Sequence, residues 1–176
     1  TGFHVNKNID LLIDVSVKLQ DLNRDDVLFN LSLNPLDKKA AAFIEKINEL
    51  KIQSYFNFMG RVAASDVEFI VGACDAVMLL STLESFSNNL IEAWAYKRPL
   101  IITDADWSRA ACQDAALFVD ISKVGSIVKA IVSLNNDKEL YAKLVRHGER
   151  RLLDFPKPSE KAALHVKLLE SYCNHD

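Results

Sequence analysis

"LESFSNNLIEAWAYKRPLIIT" runs from Leu83 to Thr103. It opens with a carboxylate in a Ser/Asn-rich turn and carries a second carboxylate, Glu92, eight positions after Glu84. Ser87 is suited to cap a helix start, because a Ser oxygen can accept from the first free amides. Leu90, Ile91, Trp94 and Ala95 then recur at helical spacing and define an apolar face, while Asn88, Glu92 and Tyr96 share another. Pro99 ends the helix, and Pro99–Thr103 is short and apolar on both faces, the pattern of a buried strand. A second apolar run, Ala76–Ser81, precedes the turn. Strand, turn, helix, strand is the parallel β-α-β unit.

The same alternation extends outward in both directions. Val27–Leu33, Ser54–Gly60 and Ala115–Asp120 read as further buried strands. "NIDLLIDVSVKLQ", "LDKKAAAFIEKINELK" and "SDVEFIVGAC" read as helices between them. Ser65 and Asp137 are placed to cap helices. After Asp120 the pattern is helical throughout: Lys123–Asn135, Asp137–Leu153 and, beyond the breaker "DFPKPS", Ser159–Cys173. The fold expected is α/β: a Rossmann-like parallel sheet with helices on both faces, followed by C-terminal helices, in a single lobe spanning residues 1–176. In such sheets ligands bind beyond the carboxyl ends of the strands. The segments to watch are therefore Asn34–Asp37, Gly60–Ala64, Ser81–Asn89 and Thr103–Ser108.

Composition narrows the function. The 176 residues are 49% hydrophobic and 26% charged, with net charge −3, which gives no push toward nucleic acid or an anionic membrane. Cys74, Cys112 and Cys173 show neither zinc-ligand nor disulfide spacing. A reducing cytoplasm is the simplest compartment. GxGxxG and GxxxxGK[ST] are both absent, which argues against dinucleotide oxidoreductases and Walker-type NTPases. "VMLLSTLES" lacks the phosphoacceptor aspartate of a receiver domain. "DAD" at Asp104–Asp106 has the spelling of a metal motif. "RHGERR" (Arg146–Arg151) reads as a solvated basic helix face.

The turn itself suggests a ligand that is part phosphate and part polyol. A helix N-terminus presents unsatisfied amides and partial positive charge to an anion. A carboxylate can accept two hydroxyl hydrogen bonds at once. A capped surface helix with two solvated glutamates has the same spacing.

Beyond spacing, several ordered segments resemble one family. "ESFSNNLIEAWAYKRPLII" resembles the Glu-x7-Glu signature of the group 1 retaining GT-B glycosyltransferases. "HVNKNIDLLID" is similar to that family's entry to the first helix of its donor lobe, "FMGRV" to its base-binding loop, and "ITDADWSRAACQDAALFVD" to its variable loop and following strand. The resemblance covers roughly His4 to Leu153 and implies the C-terminal half of a GT-B fold, the lobe that binds the nucleotide sugar.

It further implies roles. Lys7 would neutralise the departing diphosphate, and Glu84 would contact the transferred sugar; these are the catalytic candidates. Glu92 would hold the ribose. Ser85, Phe86, Ser87, Asn88 and Asn89 would lie by the diphosphate, and Gly60, Arg61 and Val62 by the base. Ser87 stands where the family commonly has glycine. Gly2 stands where it has an arginine: either another cation substitutes, with Arg61 and Arg109 as candidates, or the diphosphate is stabilised less, or the protein is not a fully competent transferase. The resemblance also places "DAD" at Asp104–Asp106 in the family's variable loop and implies that no metal or cofactor is needed. The chain's start falls within the strand-to-helix segment of that lobe, so its opening strand and the N-terminal acceptor lobe are expected to lie outside this sequence. The implied partners are a nucleotide sugar and a glycan or lipid-linked acceptor, in cell-surface polysaccharide synthesis, with peripheral membrane association open for the full-length enzyme and this lobe alone inactive. A non-catalytic scaffold and a sugar-nucleotide epimerase of the same fold remain alternatives.

Overall fold

The computed structural model describes residues 5–38 and 40–173. Five strands alternate with helices, in the order expected: β1 (Phe29–Leu31), β2 (Phe56–Phe58), β3 (Val77–Leu79), β4 (Leu100–Thr103) and β5 (Leu117–Val119). The helices are α1 (Leu11–Asp21), α2 (Ala41–Glu49), α3 (Val67–Ala73), α4 (Asn88–Ala95), α5 (Asp106–Cys112), α6 (Val124–Asn136), α7 (Lys138–Leu152) and α8 (Pro158–Cys173). Each strand is shorter than its apolar run. Ser54 and Tyr55 belong instead to a 3-10 turn, Gln53–Tyr55.

All strand pairing is parallel, in two ladders: β1 with β2, and β3-β4-β5. Burial on both faces follows from the pleat. In β4, Ile101 enters one core with Leu12, Val15, Leu19, Phe43, Ile47 and Ile127, while Leu100 and Ile102 enter the other with Leu90, Trp94 and Cys112. The first core spans both ladders through Phe56 of β2 and Val119 of β5. Fully buried side chains such as Leu19 and Ile127 each contribute about 1.5–3 kcal/mol. Arg24 ties down the turn between α1 and β1 by a fork to Asp26 (2.8 and 2.9 Å), which holds the Asp26 carboxyl down to about 2.

Some local expectations change. The α4 core face is Leu90, Ala93 and Trp94, with Ala95 exposed, because the helix is rotated to seat Trp94 between the sheet and α7. Asp137 caps α7, its Oδ1 accepting from the Leu140 amide at 2.9 Å. Ser65 does not cap: it lies inside the 3-10 turn Ala64–Asp66 and its hydroxyl donates to Asp66 at 3.0 Å. The loop after β4 contains α5, fixed by the buried Ser108 hydroxyl, which accepts from the Ala105 amide at 3.1 Å. The basic segment of α7 is not merely solvated. Arg151 donates to the Ala111 carbonyl at 2.9 Å, and Arg150 and His147 each reach Asp114 at 3.0 Å, so the segment pins α7 to α5 and the loop beyond it. Cys112 is a core residue, its thiol pushed up to about 12 by burial, but Cys74 is only half-buried.

Candidate functional site

Residues after β3 carry the densest polar network. Ser81 is fully buried and its hydroxyl donates to Glu84 Oε1 at 2.7 Å. The same oxygen accepts from Lys7 Nζ, across 77 residues of sequence. Both partners are mostly covered, at 19% and 13% side-chain exposure. Burial raises the Glu84 carboxyl, but the hydrogen bonds from Lys7 and Ser81 and the Lys7 charge outweigh it, leaving Glu84 below its ordinary value.

Lys7 is held by its neighbours. It closes the 3-10 turn Val5–Lys7, and Asn8 follows in the left-handed region at φ 50°, a conformation asparagine tolerates. That turn aims Asn8 Nδ2 at the Leu80 carbonyl (2.7 Å) and at Thr82 Oγ1 (2.9 Å). The Thr82 amide donates to the Asn6 carbonyl at 2.9 Å, and Trp107 Nε1 donates to the Thr82 carbonyl at 3.1 Å. Asn6 and Asn8 escaped the sequence reading as site residues, and Ser81 and Thr82 entered it only as part of the segment after β3. The one visible signal of the first two is the asparagine pair flanking Lys7. Trp107 packs against the second core and also braces this turn.

Beside Lys7 opens a cleft of about 1140 Å³, and Arg61, Val62, Asn89 and Glu92 line it with Lys7. Glu92 is half-buried, and among the described residues no cation pairs with it. Burial pushes its carboxyl above the ordinary value. Glu92→Gln should therefore leave the fold as stable or more stable at pH 7.5. The difference should vanish below about pH 4, where Glu92 is protonated folded and unfolded alike. Urea titrations at both pH values check this; a variant less stable at pH 7.5 contradicts it.

The remaining candidates sit on the rim or elsewhere. Ser87 occupies the N-cap of α4 with extended backbone (φ −111°, ψ 127°), a conformation open to any residue, and makes no side-chain cap bond, contrary to expectation. The Leu90 amide bonds its carbonyl at 3.2 Å. Asn88 begins the helix and is exposed, as is Ser85. Phe86 turns away from the cleft and rests on Phe155, with ring centroids 5.6 Å apart. Gly60 adopts φ 68° and hands the chain from β2 to Arg61. Arg109 is committed elsewhere: it forks onto Asp104 at 2.5 and 2.7 Å and lies 4.5 Å from the Phe118 ring centroid. Of the two substitute cations considered, Arg61 alone lines the cleft. Gly2, the position of the family arginine, lies outside the described residues, as do His4 and His175. Among the described residues no three metal-ligating side chains converge.

This arrangement can seat an anion against an ammonium and a helix start, with carboxylates placed for hydroxyls. The family model described as "Glycosyl transferases group 1" matches residues 3–151. No curated protein matches the chain. Among solved structures, sucrose-phosphate synthase from Thermosynechococcus elongatus superposes with TM-score 0.82 at 17% identity, over 99% of this chain and 44% of that one. Anabaena Alr3699/HepE, solved with UDP and glucose, gives 0.79 at 16%, over 99% and 46%. The C-terminal domain of a Francisella tularensis group 1 family glycosyl transferase gives 0.70 at 19%, over 87% and 81%. The chain thus spans less than half the length of the first two.

Proposed function

This chain belongs to the group 1 glycosyl transferases, and we propose that it binds the nucleotide-sugar donor of a two-lobed, retaining enzyme. The observation that carries this reading is the Lys7–Glu84 pair, assembled from distant sequence at the mouth of the cleft that holds Arg61, Asn89 and Glu92. In that cleft the donor diphosphate takes Lys7 from Glu84. The ammonium then faces the oxygens whose charge grows as the bond from phosphate to the anomeric carbon breaks. Glu84, still held by Ser81, turns its acceptor oxygens to sugar hydroxyls. Glu92 accepts from the ribose, and the start of α4 faces the diphosphate. Asn6, Asn8 and Trp107 brace the two turns that carry the pair, so its backbone is already fixed when the side chains exchange partners. The acceptor, a glycan or lipid-linked sugar of cell-surface polysaccharide synthesis, would enter from a second lobe, in the cytoplasm or at the inner membrane face. Among the described residues no helix is long and apolar enough to cross a membrane.

The test is a ligand-observed NMR titration against UDP, GDP, ADP and their common sugar conjugates. UDP comes first because HepE, a structural neighbour, was solved with it. Saturable binding of one nucleotide, weakened at least about tenfold by Glu92→Ala, is expected. No binding to any nucleotide by the folded chain, or binding indifferent to Glu92, would overturn the reading.

A further inference from the structure

The turn between Glu84 and α4 is fixed firmly at its two ends. Glu84 is held by Ser81 and Lys7, and the Leu90 amide closes the start of α4 on the Ser87 carbonyl. Between those ends, among the described residues, neither Ser85 nor Phe86 makes a backbone hydrogen bond, and the Ser87 side chain does not cap the helix. A ring contact holds the middle instead. Phe86 is 46% exposed, and its ring lies on that of Phe155, with 5.6 Å between centroids and 45° between planes. Tilted aromatic pairs at such separations attract beyond the area they bury.

Phe155 lies far along the chain, in the turn that follows α7, where its amide donates to the Leu152 carbonyl at 3.1 Å. Its ring is anchored from two further sides. The buried Trp94 ring of α4 lies 5.8 Å away, and Phe155 packs with it against the second core. The Arg151 guanidinium lies 5.0 Å from the Phe155 centroid. That guanidinium is itself fixed: it donates to the Ala111 carbonyl at 2.9 Å, to the Ala110 carbonyl at 3.3 Å and to Asp154 at 2.7 Å. The two carbonyls belong to the last turn of α5, where helical donors run out. Phe155 is thus tied to α4, to α7 and, through Arg151, to α5. Phe86 is a half-exposed ring resting on that anchor.

We propose that Phe155 is a positioning residue for donor binding: through Phe86 it holds the Glu84–Ser87 turn in the arrangement that offers Glu84 and the start of α4 to one ligand, a nucleoside diphosphate carrying a sugar. The inference rests on the donor reading and deepens it. Its mechanism is a shift in population. Without the Phe155 ring the turn samples arrangements in which the carboxylate and the helix start no longer face the same ligand. Apparent affinity then falls with the competent fraction that remains. One aromatic contact corresponds to about a three- to tenfold change in that fraction.

The experiment titrates UDP, GDP and ADP, by ligand-observed NMR, into the native chain, Phe155→Leu, Phe155→Tyr, Phe86→Leu and the Phe86→Leu/Phe155→Leu double variant, well below their unfolding temperatures. For the nucleotide that the native chain binds, Phe155→Leu should weaken binding by about three- to tenfold. Phe155→Tyr keeps the ring and should restore it. Phe86→Leu should show the same loss, and Phe155→Leu should add nothing further in that background, because both remove one contact. If Phe155→Leu does not fold, Phe86→Leu removes the contact from the half-exposed side and decides the matter by itself. Native affinity in Phe155→Leu or in Phe86→Leu would overturn the proposal and leave the donor reading standing. Losses that add in the double variant would overturn it too, since Phe155 would then act by a route other than Phe86. A loss that Phe155→Tyr fails to restore would count against the ring contact in the same way. No nucleotide bound by the native chain would overturn the donor reading and this inference with it.

Discussion

On the proposed donor reading, Lys7→Ala should lower sugar transfer by a two-lobed enzyme containing this chain by roughly 10²–10³-fold, the usual effect of removing one fixed electrostatic stabiliser. The loss should fall mainly on kcat, because on that reading the ammonium matters most as the diphosphate departs. A loss confined to KM would show that Lys7 only holds the ground state. The variant carries a second signature in the fold itself. Glu84 is 13% exposed and keeps only Ser81 once Lys7 is gone, so its carboxyl should rise. In the native chain the Glu84 carboxyl lies below its ordinary value. Its contribution to stability is thus present above the ordinary carboxylate range and is lost as pH falls through the folded value. Native and Lys7→Ala stabilities should diverge at pH 7 and converge under strong acid. Urea denaturation at both pH values measures this, and a constant gap would mean that Lys7 supports the fold by packing alone.

The second large effect is at Trp94. Its indole is 2% exposed, and Nε1 donates to the Ala115 carbonyl at 3.1 Å. Trp94→Ala should cost about 3–5 kcal/mol from the lost burial and the cavity. At this chain length that is a fall of roughly 10 °C in Tm. Gly148 makes the contact specific: a Cβ there would meet Trp94 Cδ1 at 2.5 Å. Gly148→Ala should therefore destabilise by about 1–3 kcal/mol through overpacking, although alanine ordinarily favours a helix by about 1 kcal/mol. Gly72, with no atom within 4 Å of such a Cβ, should show the opposite sign on Gly72→Ala. Thermal unfolding of the three variants checks the set. Gly148→Ala and Gly72→Ala shifting together would refute the packing account.

Element type was legible because it is a local property. Alternating apolar runs and helical spacings place every strand and all helices but α5 within a few residues of where they lie. Helix ends were harder. Asn23, Lys51 and Lys97 adopt left-handed backbone at the ends of α1, α2 and α4, with φ 53°, 56° and 57°, where a reader looks for glycine. The bonds that close these ends, such as Arg98 amide to Ala93 carbonyl at 2.7 Å, outweigh the strain. Helix α5 was missed because "DWSRAAC" has too few apolar positions to show a period; the buried Ser108 starts it, accepting from the Ala105 amide at 3.1 Å.

For the site, sequence order alone marked the carboxyl edge, since the ends of parallel strands fall between a strand pattern and the next helix. Glu84 and Glu92 were singled out by the resemblance of their segment to a family signature, since their spacing alone fits a capped surface helix as well. Partnership was beyond the sequence. That Lys7 meets Glu84, that Asn8 and Trp107 hold the turn between them, that Arg109 is spent on Asp104, and that Gly148 admits the Trp94 ring are contacts between segments distant in the chain or pointed by one backbone angle. Periodicity records which face of an element is buried; only packing in three dimensions decides which side chains share that burial, and charge pairing at the cleft depends on that choice.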